Sequence, residues 1–408
     1  MLCSKRIKYA CYSSNISMSL VGNVSPILFL TFRNMYGLTY SMLGLLVTIN
    51  FLTQLCIDLV FSFFSHRFNI EKTVKIMPVL TLIGLLIYSL WPFFYPDSAY
   101  LGIVVGTVIF SASAGLGEVL ISPIIAALPS KNPEHEMSKL HSVYAWGVVA
   151  VVIICTLLLF VLGSANWNII VLIFCIIPIV SIFLFYGIRL PDMETVEKMS
   201  GVINQMKNKT LWMCVCAIFL GGASEIIMAQ WCSGYLEQSF LIPKIWGDIF
   251  GVALFSVMLG FGRTLYSKIG SNIMNALLYG SIGAAVCYFI AAVVNNPFVG
   301  LAACGFTGFC VSMLWPGSLI AVADRIKGCG VFVYALMAAG GDCGASVGPQ
   351  LVGVITDFAI SNPSVRGVAD VLNLLPEQFG MKMAMLVGML FPLCCALVCV
   401  VIKKTNKN

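Results

Sequence analysis

The feature that most constrains this sequence is a series of long apolar runs separated by short polar segments. A run of about 17 to 25 apolar residues spans the hydrocarbon core of a bilayer as a helix. Of the 408 residues, 60% are hydrophobic and only 10% are charged, whereas soluble domains carry roughly 25% charged residues. We therefore expect an all-α membrane protein, with the lipid bilayer as its surroundings.

Twelve such runs are present, six on each side of a polar stretch at residues 189–209. They centre roughly on residues 9–32, 40–64, 74–95, 100–127, 140–163, 167–188, 210–236, 247–265, 272–293, 298–322, 330–356 and 380–402. The pattern predicts an N-terminal six-helix bundle at residues 1–188, a cytoplasmic linker at 189–209 and a C-terminal six-helix bundle at 210–408. A longer external loop is expected between the last two spans.

The distribution of lysine and arginine predicts the orientation in the membrane. If both termini are cytoplasmic, the outside segments hold only four of the 23 basic residues, namely Arg33, Lys244, Arg366 and Lys382. Basic residues are enriched in cytoplasmic loops, so we expect a multi-pass protein of the plasma membrane with both termini in the cytoplasm. The basic residues of the cytoplasmic segments then account for the net charge of +6, and no nucleic-acid partner is expected.

Three carboxylic acids lie near the middle of apolar runs, where a charge costs roughly 3 kcal/mol or more. They are Glu118 in the fourth run and Glu225 and Asp342 in the glycine-rich seventh and eleventh runs. The helical rise places them roughly 14 to 22 Å from the cytoplasmic ends, near the midplane. Each is a candidate for proton coupling, since it can take up and release a proton as a cavity switches sides. The alternative for Glu118 is stabilisation of a helix break near Pro123, and for the other two it is helix packing.

Amide and aromatic side chains could line a site for a neutral solute. The candidates are Asn23, Asn50, Gln54, Tyr144, Trp146, Gln230, Trp231 and Trp315. For the tryptophans, a role outside the site, such as anchoring at the membrane interface, is an open alternative. No lysine or arginine lies in the middle of any run, which argues against an anionic solute because anions are normally held by these side chains. A cationic solute fits the carboxylates as well as a neutral one fits the amides.

Several motifs resemble those of one transporter superfamily. They are Glu118-x-x-x-Ser122-Pro123, Leu140-His141-Ser142-Val143-Tyr144, Trp315-Pro316, and Gly340-Gly341-Asp342-Cys343-Gly344 with Gly348-Pro349. Together with twelve predicted spans, they resemble the major facilitator superfamily and, within it, the fucose–galactose–glucose proton symporter group and its uncharacterised relatives. The resemblance implies the major facilitator fold of two six-helix bundles, with spans one, four and seven lining a central cavity.

The sequence departs from the patterns of that group in places. The loop between spans two and three keeps only Arg67 of the superfamily's usual motif, and sugar symporters of the group carry an aspartate where this chain has Asn23. We expect structural or gating roles for five residues: Asp58, Arg67, Arg263, Pro123 and Pro316. Asp58 is expected to be a structural partner of a basic residue, for which Arg263 is a candidate.

Signals for an enzyme are poor. His135-Glu136 is followed by His141, which is the wrong spacing for a zinc protease, and the sequence shows no phosphate-binding loop. We expect no catalytic activity, no cofactor and no metal. The sequence predicts a monomeric secondary active transporter that takes up a small neutral polar solute, such as a sugar, together with protons. The alternatives are a proton-coupled exporter of cationic drugs or metabolites, and a membrane receptor or scaffold that does not transport.

Overall fold

The computed structural model of the chain describes residues 2–64, 67–129, 133–191, 207–269, 272–326 and 331–405. Within these ranges every regular element is a helix. Twelve helical segments there are long and apolar enough to cross a membrane, which confirms the all-α membrane fold predicted from the apolar runs. Most of the predicted linker at 189–209 lies outside the described residues.

The first six spans are built from seven helices. They are α1 (Leu2–Tyr36), α2 (Tyr40–Phe64), α3 (Ile70–Phe94), α4 (Ala99–Ala127), α5 (Pro133–Leu162), α6 (Trp167–Phe174) and α7 (Ile176–Phe185). Short 3-10 helices at Pro96–Ser98 and Ser164–Asn166 precede α4 and α6. The sixth span is divided at Cys175, where α6 ends and α7 begins.

The remaining spans are interrupted more often. Their helices are α8 (Lys209–Phe240), α9 (Leu254–Ile269), α10 (Ile273–Val293), α11 (Pro297–Val311), α12 (Leu314–Arg325), α13 (Val331–Ser361), α14 (Pro363–Val371), α15 (Pro376–Gly388) and α16 (Leu390–Thr405). A short turn at Lys244–Trp246 and a π-helix at Gly247–Ala253 lead into α9. The segment expected as a loop between the last two spans contains α14.

The chain forms two compact units. The first contains residues 1–36 and 49–198, and the second contains residues 37–48 and 199–408. Helix α2 is continuous, yet its residues 40–48 belong to the second unit. Within that unit, the backbone amides of Tyr40 and Ser41 donate to the Asp357 carboxylate of α13 at 3.1 and 2.7 Å. A carboxylate at a helix N-terminus satisfies amides that lack a partner within the helix.

Glycines allow close helix packing in the first unit. A Cβ on Gly84 of α3 would lie 2.7 Å from the backbone nitrogen of Phe110 on α4, and one on Gly106 would lie 2.7 Å from the carbonyl oxygen of Gly84. Small residues bring helix backbones together in a bilayer, where the hydrophobic effect does not favour association. The pairing of α3 with α4 therefore depends on these positions having no side chain.

Glycines also allow close packing of α8 against α13 in the second unit. A Cβ on Gly344 would overlap the carbonyl oxygen of Phe219, and one on Gly348 would lie 3.1 Å from the carbonyl oxygen of Ala223. These glycines belong to the run around Asp342 that the sequence singled out. Helix contact therefore explains why this run is rich in glycine.

Candidate functional site

Polar side chains of α2 and α4 meet inside the first unit. Ser111 Oγ donates to Asn50 Oδ1 at 2.6 Å, and Gln54 Nε2 donates to the same oxygen at 3.1 Å. One turn further along α2 lies Asp58, whose carboxylate oxygen is within 4.8 Å of a carboxylate oxygen of Glu118 on α4. Amides, a hydroxyl and two carboxylic acids thus follow one another along this helix contact.

The residue spacing on both helices explains this arrangement. On α2 the polar residues recur every four positions and therefore share one face. On α4, Ser111, Gly115 and Glu118 follow at intervals of four and three. Gly115 allows the close approach, because a Cβ there would lie 3.0 Å from the Cα of Gln54. We call this set the α2–α4 stripe: Asn50, Gln54, Asp58, Ser111, Gly115 and Glu118.

The carboxylate pair can hold a proton. Asp58 is buried and Glu118 is exposed, although Glu118 lies nine residues before the end of α4 at Ala127, or about 14 Å along the helix. Exposure of an acid to lipid at such a depth is costly, so Glu118 requires a proton, a polar partner or water at this position. Two negative charges this close repel each other, and one proton on the pair removes that repulsion.

In the second unit, Glu225 of α8 forms an ion pair with Arg263 of α9. Arg263 Nη2 lies 3.2 Å from Glu225 Oε1, and Arg263 Nε donates to the carbonyl oxygen of Ser312 at 3.1 Å. Pro316 lies four residues after Ser312 and has no N–H, so this carbonyl lacks its usual helical donor. The break between α11 and α12 therefore supplies the second partner that orients the guanidinium group.

This ion pair was not expected from the sequence, which offered Arg263 as a candidate partner of Asp58. Arg263 lies near the end of α9, and its long side chain reaches a carboxylate 15 residues from the end of α8 at Phe240. Because the two charges are opposite, the pair adds little net charge to this part of the unit.

The other candidates of the second unit lie in helix contacts. Trp231 is fully buried and its indole N–H donates to a backbone carbonyl of α13 at 2.9 Å. Trp315 is half-buried and covers Gly341, where a Cβ would overlap its ring. Asp342 and Gln230 are buried, at 2% and 6% exposure. We assign the two tryptophans to helix packing, and Asp342 and Gln230 stay candidates.

The candidates on α1 and α5 differ in how far their side chains are buried. Asn23 is buried and donates to a backbone carbonyl one turn earlier in α1 at 2.9 Å. Tyr144 of α5 is half-buried. Trp146 is 68% exposed and shares a helix face with the exposed apolar side chains of Ile154 and Leu157. Trp146 is not packed into the first unit, and it stays a candidate.

The remaining candidates are those for which the sequence predicts structural or gating roles. The Arg67 guanidinium lies 5.4 Å from the centre of the Phe64 ring, a cation–π contact at the end of α2. Pro316 is the third residue of α12 and acts through the Ser312 carbonyl described above. The side chain of Pro123 lies outside the described residues.

The sequence profile of the Major Facilitator Superfamily matches residues 10–349. The chain belongs to the major facilitator superfamily. This confirms the family and the fold predicted from the motifs and the twelve runs. A major facilitator protein with this fold is a membrane transporter and not an enzyme. Comparison with curated protein sequences found no match.

Solved structures of major facilitator transporters share the fold at low identity. A bacterial homologue of the human lysosomal transporter Spinster, inward-facing and occupied, has a TM-score of 0.74 and 13% identity over 98% of this chain and 96% of that chain. A D-xylose–proton symporter gives 0.71 and 14% over 95% and 96%. The E. coli fucose–proton symporter gives 0.58 and 15% over 95% and 98%. These similarities show the fold alone.

Proposed function

We propose that this chain is a proton-coupled secondary transporter that takes up a small neutral polar solute, such as a sugar, by alternating access. The observation that carries the proposal is the Asp58–Glu118 pair at one end of the α2–α4 stripe. Two acids that can exchange a proton lie one to two helical turns from amide and hydroxyl groups that can bind a polyol.

The stripe has the chemistry that a neutral solute requires. Hydroxyl groups of a sugar both donate and accept hydrogen bonds, and so do the amides of Asn50 and Gln54 and the hydroxyl of Ser111. Their mutual hydrogen bonds hold the amides in one orientation. Asn50, Gln54 and Ser111 are 6%, 8% and 0% exposed, so the proposal requires a state of the transport cycle in which a solute reaches them. Groups that are already oriented in that state cost less free energy to order on binding.

Proton binding at the stripe can bias the transport cycle. A ligand shifts a conformational equilibrium only if it binds the two states with different affinity. The Asp58–Glu118 pair gains a proton and loses charge repulsion, so a state that brings the two carboxylates together favours the protonated form. Solute bound beside the pair would favour the same state, so the transport of the proton and the transport of the solute would be linked.

Two further observations agree with a neutral solute. Glu225 and Arg263 neutralise each other, so the second unit presents no lone charge at that position. Among the structures similar in fold, one is named as a D-xylose–proton symporter and one as a fucose–proton symporter. We infer the same orientation that the basic residues predict, with both termini in the cytoplasm, and a monomer in the plasma membrane.

A proton-flux assay tests the proposal. Purified protein is reconstituted into vesicles that contain a pH-sensitive dye, and sugars, polyols and nucleosides are added outside in turn. We expect one class of neutral solute to carry protons inward, and Glu118→Gln to abolish that flux. Asp97→Asn is the matched control, since Asp97 is an exposed acid in the 3-10 helix before α4. Solute uptake without proton movement would refute the coupling.

The carboxylate pair also favours a second candidate, a proton-coupled exporter of cations. Glu118 is exposed and lies beside Asp58, so the deprotonated pair could hold a positively charged solute. The same vesicles separate the two functions. An exporter would exchange a cationic dye for protons and give no response to sugars. A receptor without transport would bind a solute, seen as a thermal shift, with no flux of any kind.

A further inference from the structure

A small cavity lies inside the first unit, where α1, α3 and α4 meet. Its volume is about 10 Å³, which is the lower limit of the space that one water molecule needs. Four hydroxyl groups line it, those of Ser14 and Ser17 on α1, Thr81 on α3 and Ser113 on α4. None of these residues belongs to the α2–α4 stripe.

Three of the four hydroxyl groups already use their proton. Ser17 Oγ donates to the carbonyl oxygen of Ser13 at 3.1 Å, and Ser113 Oγ donates to that of Met77 at 2.6 Å. The hydroxyl oxygens of Thr81 and Ser113 are 2.8 Å apart, and Thr81 Oγ1 also lies 3.4 Å from the Met77 carbonyl oxygen, so both protons are used whichever hydroxyl donates to the other. A hydroxyl has one proton and two lone pairs. These three groups therefore offer only lone pairs to a ligand.

Ser14 is the fourth group and differs from the others. It is 5% exposed, and its hydroxyl oxygen has no hydrogen-bond partner among the described residues. A buried hydroxyl without a partner is unfavourable. The cavity wall thus contains one hydroxyl that can still donate and three that can only accept.

We propose that this cavity is a binding site for a single water molecule that connects α1 to α3 and α4. The water accepts a hydrogen bond from Ser14 and donates its two protons to two of the other hydroxyl oxygens. A sodium ion would also attract the lone pairs, but the described lining contains no carboxylate to balance its charge. An anion finds only one donor there.

The site lies close to the carboxylate pair. Ala114 lines the cavity and precedes Glu118 by one helical turn. Met18 also lines it and contacts the neighbouring part of α4, where a Cβ on Gly117 would lie 2.8 Å from the Met18 sulfur. The bound water therefore helps to fix α1 against the segment of α4 that carries Glu118.

The sign of one stability change tests the proposal. If water is bound, Ser14→Ala removes a hydrogen bond and lowers the melting temperature of the purified protein. If the cavity holds no water, the same change removes an unpaired buried hydroxyl and raises the melting temperature or leaves it unchanged, which overturns the proposal. Ser233→Ala is the matched control, since Ser233 is 3% exposed with an unpartnered hydroxyl outside this cavity. Its alanine variant is expected to be no less stable, and an equal loss in both variants would also overturn the proposal.

Two further measurements identify the ligand. The wild-type melting temperature is expected to be the same in sodium chloride and in choline chloride at equal ionic strength. If sodium chloride raises the melting temperature of the wild type but not that of the Ser14→Ala variant, the ligand is a sodium ion and the proposal of a water molecule is wrong. A density map that resolves other buried waters of the first unit is expected to show a peak within hydrogen-bond distance of Ser14 Oγ, and no peak there would overturn the site.

Discussion

Replacing Arg263 by glutamine tests the ion pair that we use to argue for a neutral solute. Glutamine is polar but shorter and uncharged. Glu225, whose side chain is only 11% exposed, then loses its opposite charge. The carbonyl of Ser312 loses the Nε donor that replaced the amide missing at Pro316. The variant therefore leaves two polar groups of the second unit without their partners.

The expected loss of stability follows from these two groups. Removing one partner of a fully buried ion pair costs about 3–5 kcal/mol. The Arg263 side chain is 39% exposed, so water screens part of the interaction, and we expect a loss of about 1–3 kcal/mol for the pair. The unpaired carbonyl adds about 1 kcal/mol. The free energy of unfolding should fall by about 2–4 kcal/mol in total.

Unfolding of the detergent-solubilised protein measures this change. The double variant Glu225→Gln with Arg263→Gln carries no unpaired charge and should recover at least about 1 kcal/mol over the single Arg263→Gln variant. Arg263→Lys keeps the charge and should lie between the wild type and the glutamine variant. A single variant as stable as the wild type, or a double variant no more stable than the single one, would refute the reasoning.

Three further predictions concern the two units. Asp357→Asn should reduce stability by about 1 kcal/mol in thermal unfolding, because a neutral amide is a weaker partner for the helix N-terminus at Tyr40; an unchanged melting temperature would contradict this. Gly344→Ala should lower the free energy of unfolding by about 1–3 kcal/mol, because the new Cβ overlaps the Phe219 carbonyl. The control Gly367→Ala, where a Cβ would have nothing within 4 Å, should be neutral or slightly stabilising. Equal effects of the two changes would argue against the close α8–α13 contact. Asn50→Ala should raise the solute concentration for half-maximal proton flux about tenfold, and an unchanged value would remove the stripe from the binding site.

The spans could be predicted because the bilayer sets their length and composition. Apolar runs of sufficient length mark them, and no detail of packing is needed. The interruptions inside spans could not be found in the same way. Pro178 follows the break at Cys175 by three residues, and the π-helix at Gly247–Ala253 contains Asp248 and two glycines. A count of apolar residues is insensitive to such single residues, and tertiary contacts decide which of them interrupts a helix.

The site was only partly predictable. The sequence singled out Asn50, Gln54 and Glu118, but it gave Asp58 a structural role and did not place it beside Glu118. The spacing of four between the polar residues of α2 contained a signal that Asp58 shares their face. Which helix faces that stripe is a tertiary property. The reach of Arg263 was missed for a similar reason, since residue positions along a span do not show where a long side chain ends.

The proton-coupling role of Glu118 is tested most directly by comparing accumulation with exchange in the Glu118→Gln variant. Vesicles are loaded with labelled solute for exchange, or are left empty and given an inward proton gradient for accumulation. The variant carries a neutral amide that cannot release a proton. We predict that it loses accumulation driven by the proton gradient and keeps part of the exchange activity. Accumulation equal to that of the wild type would contradict the role of the Asp58–Glu118 pair in coupling.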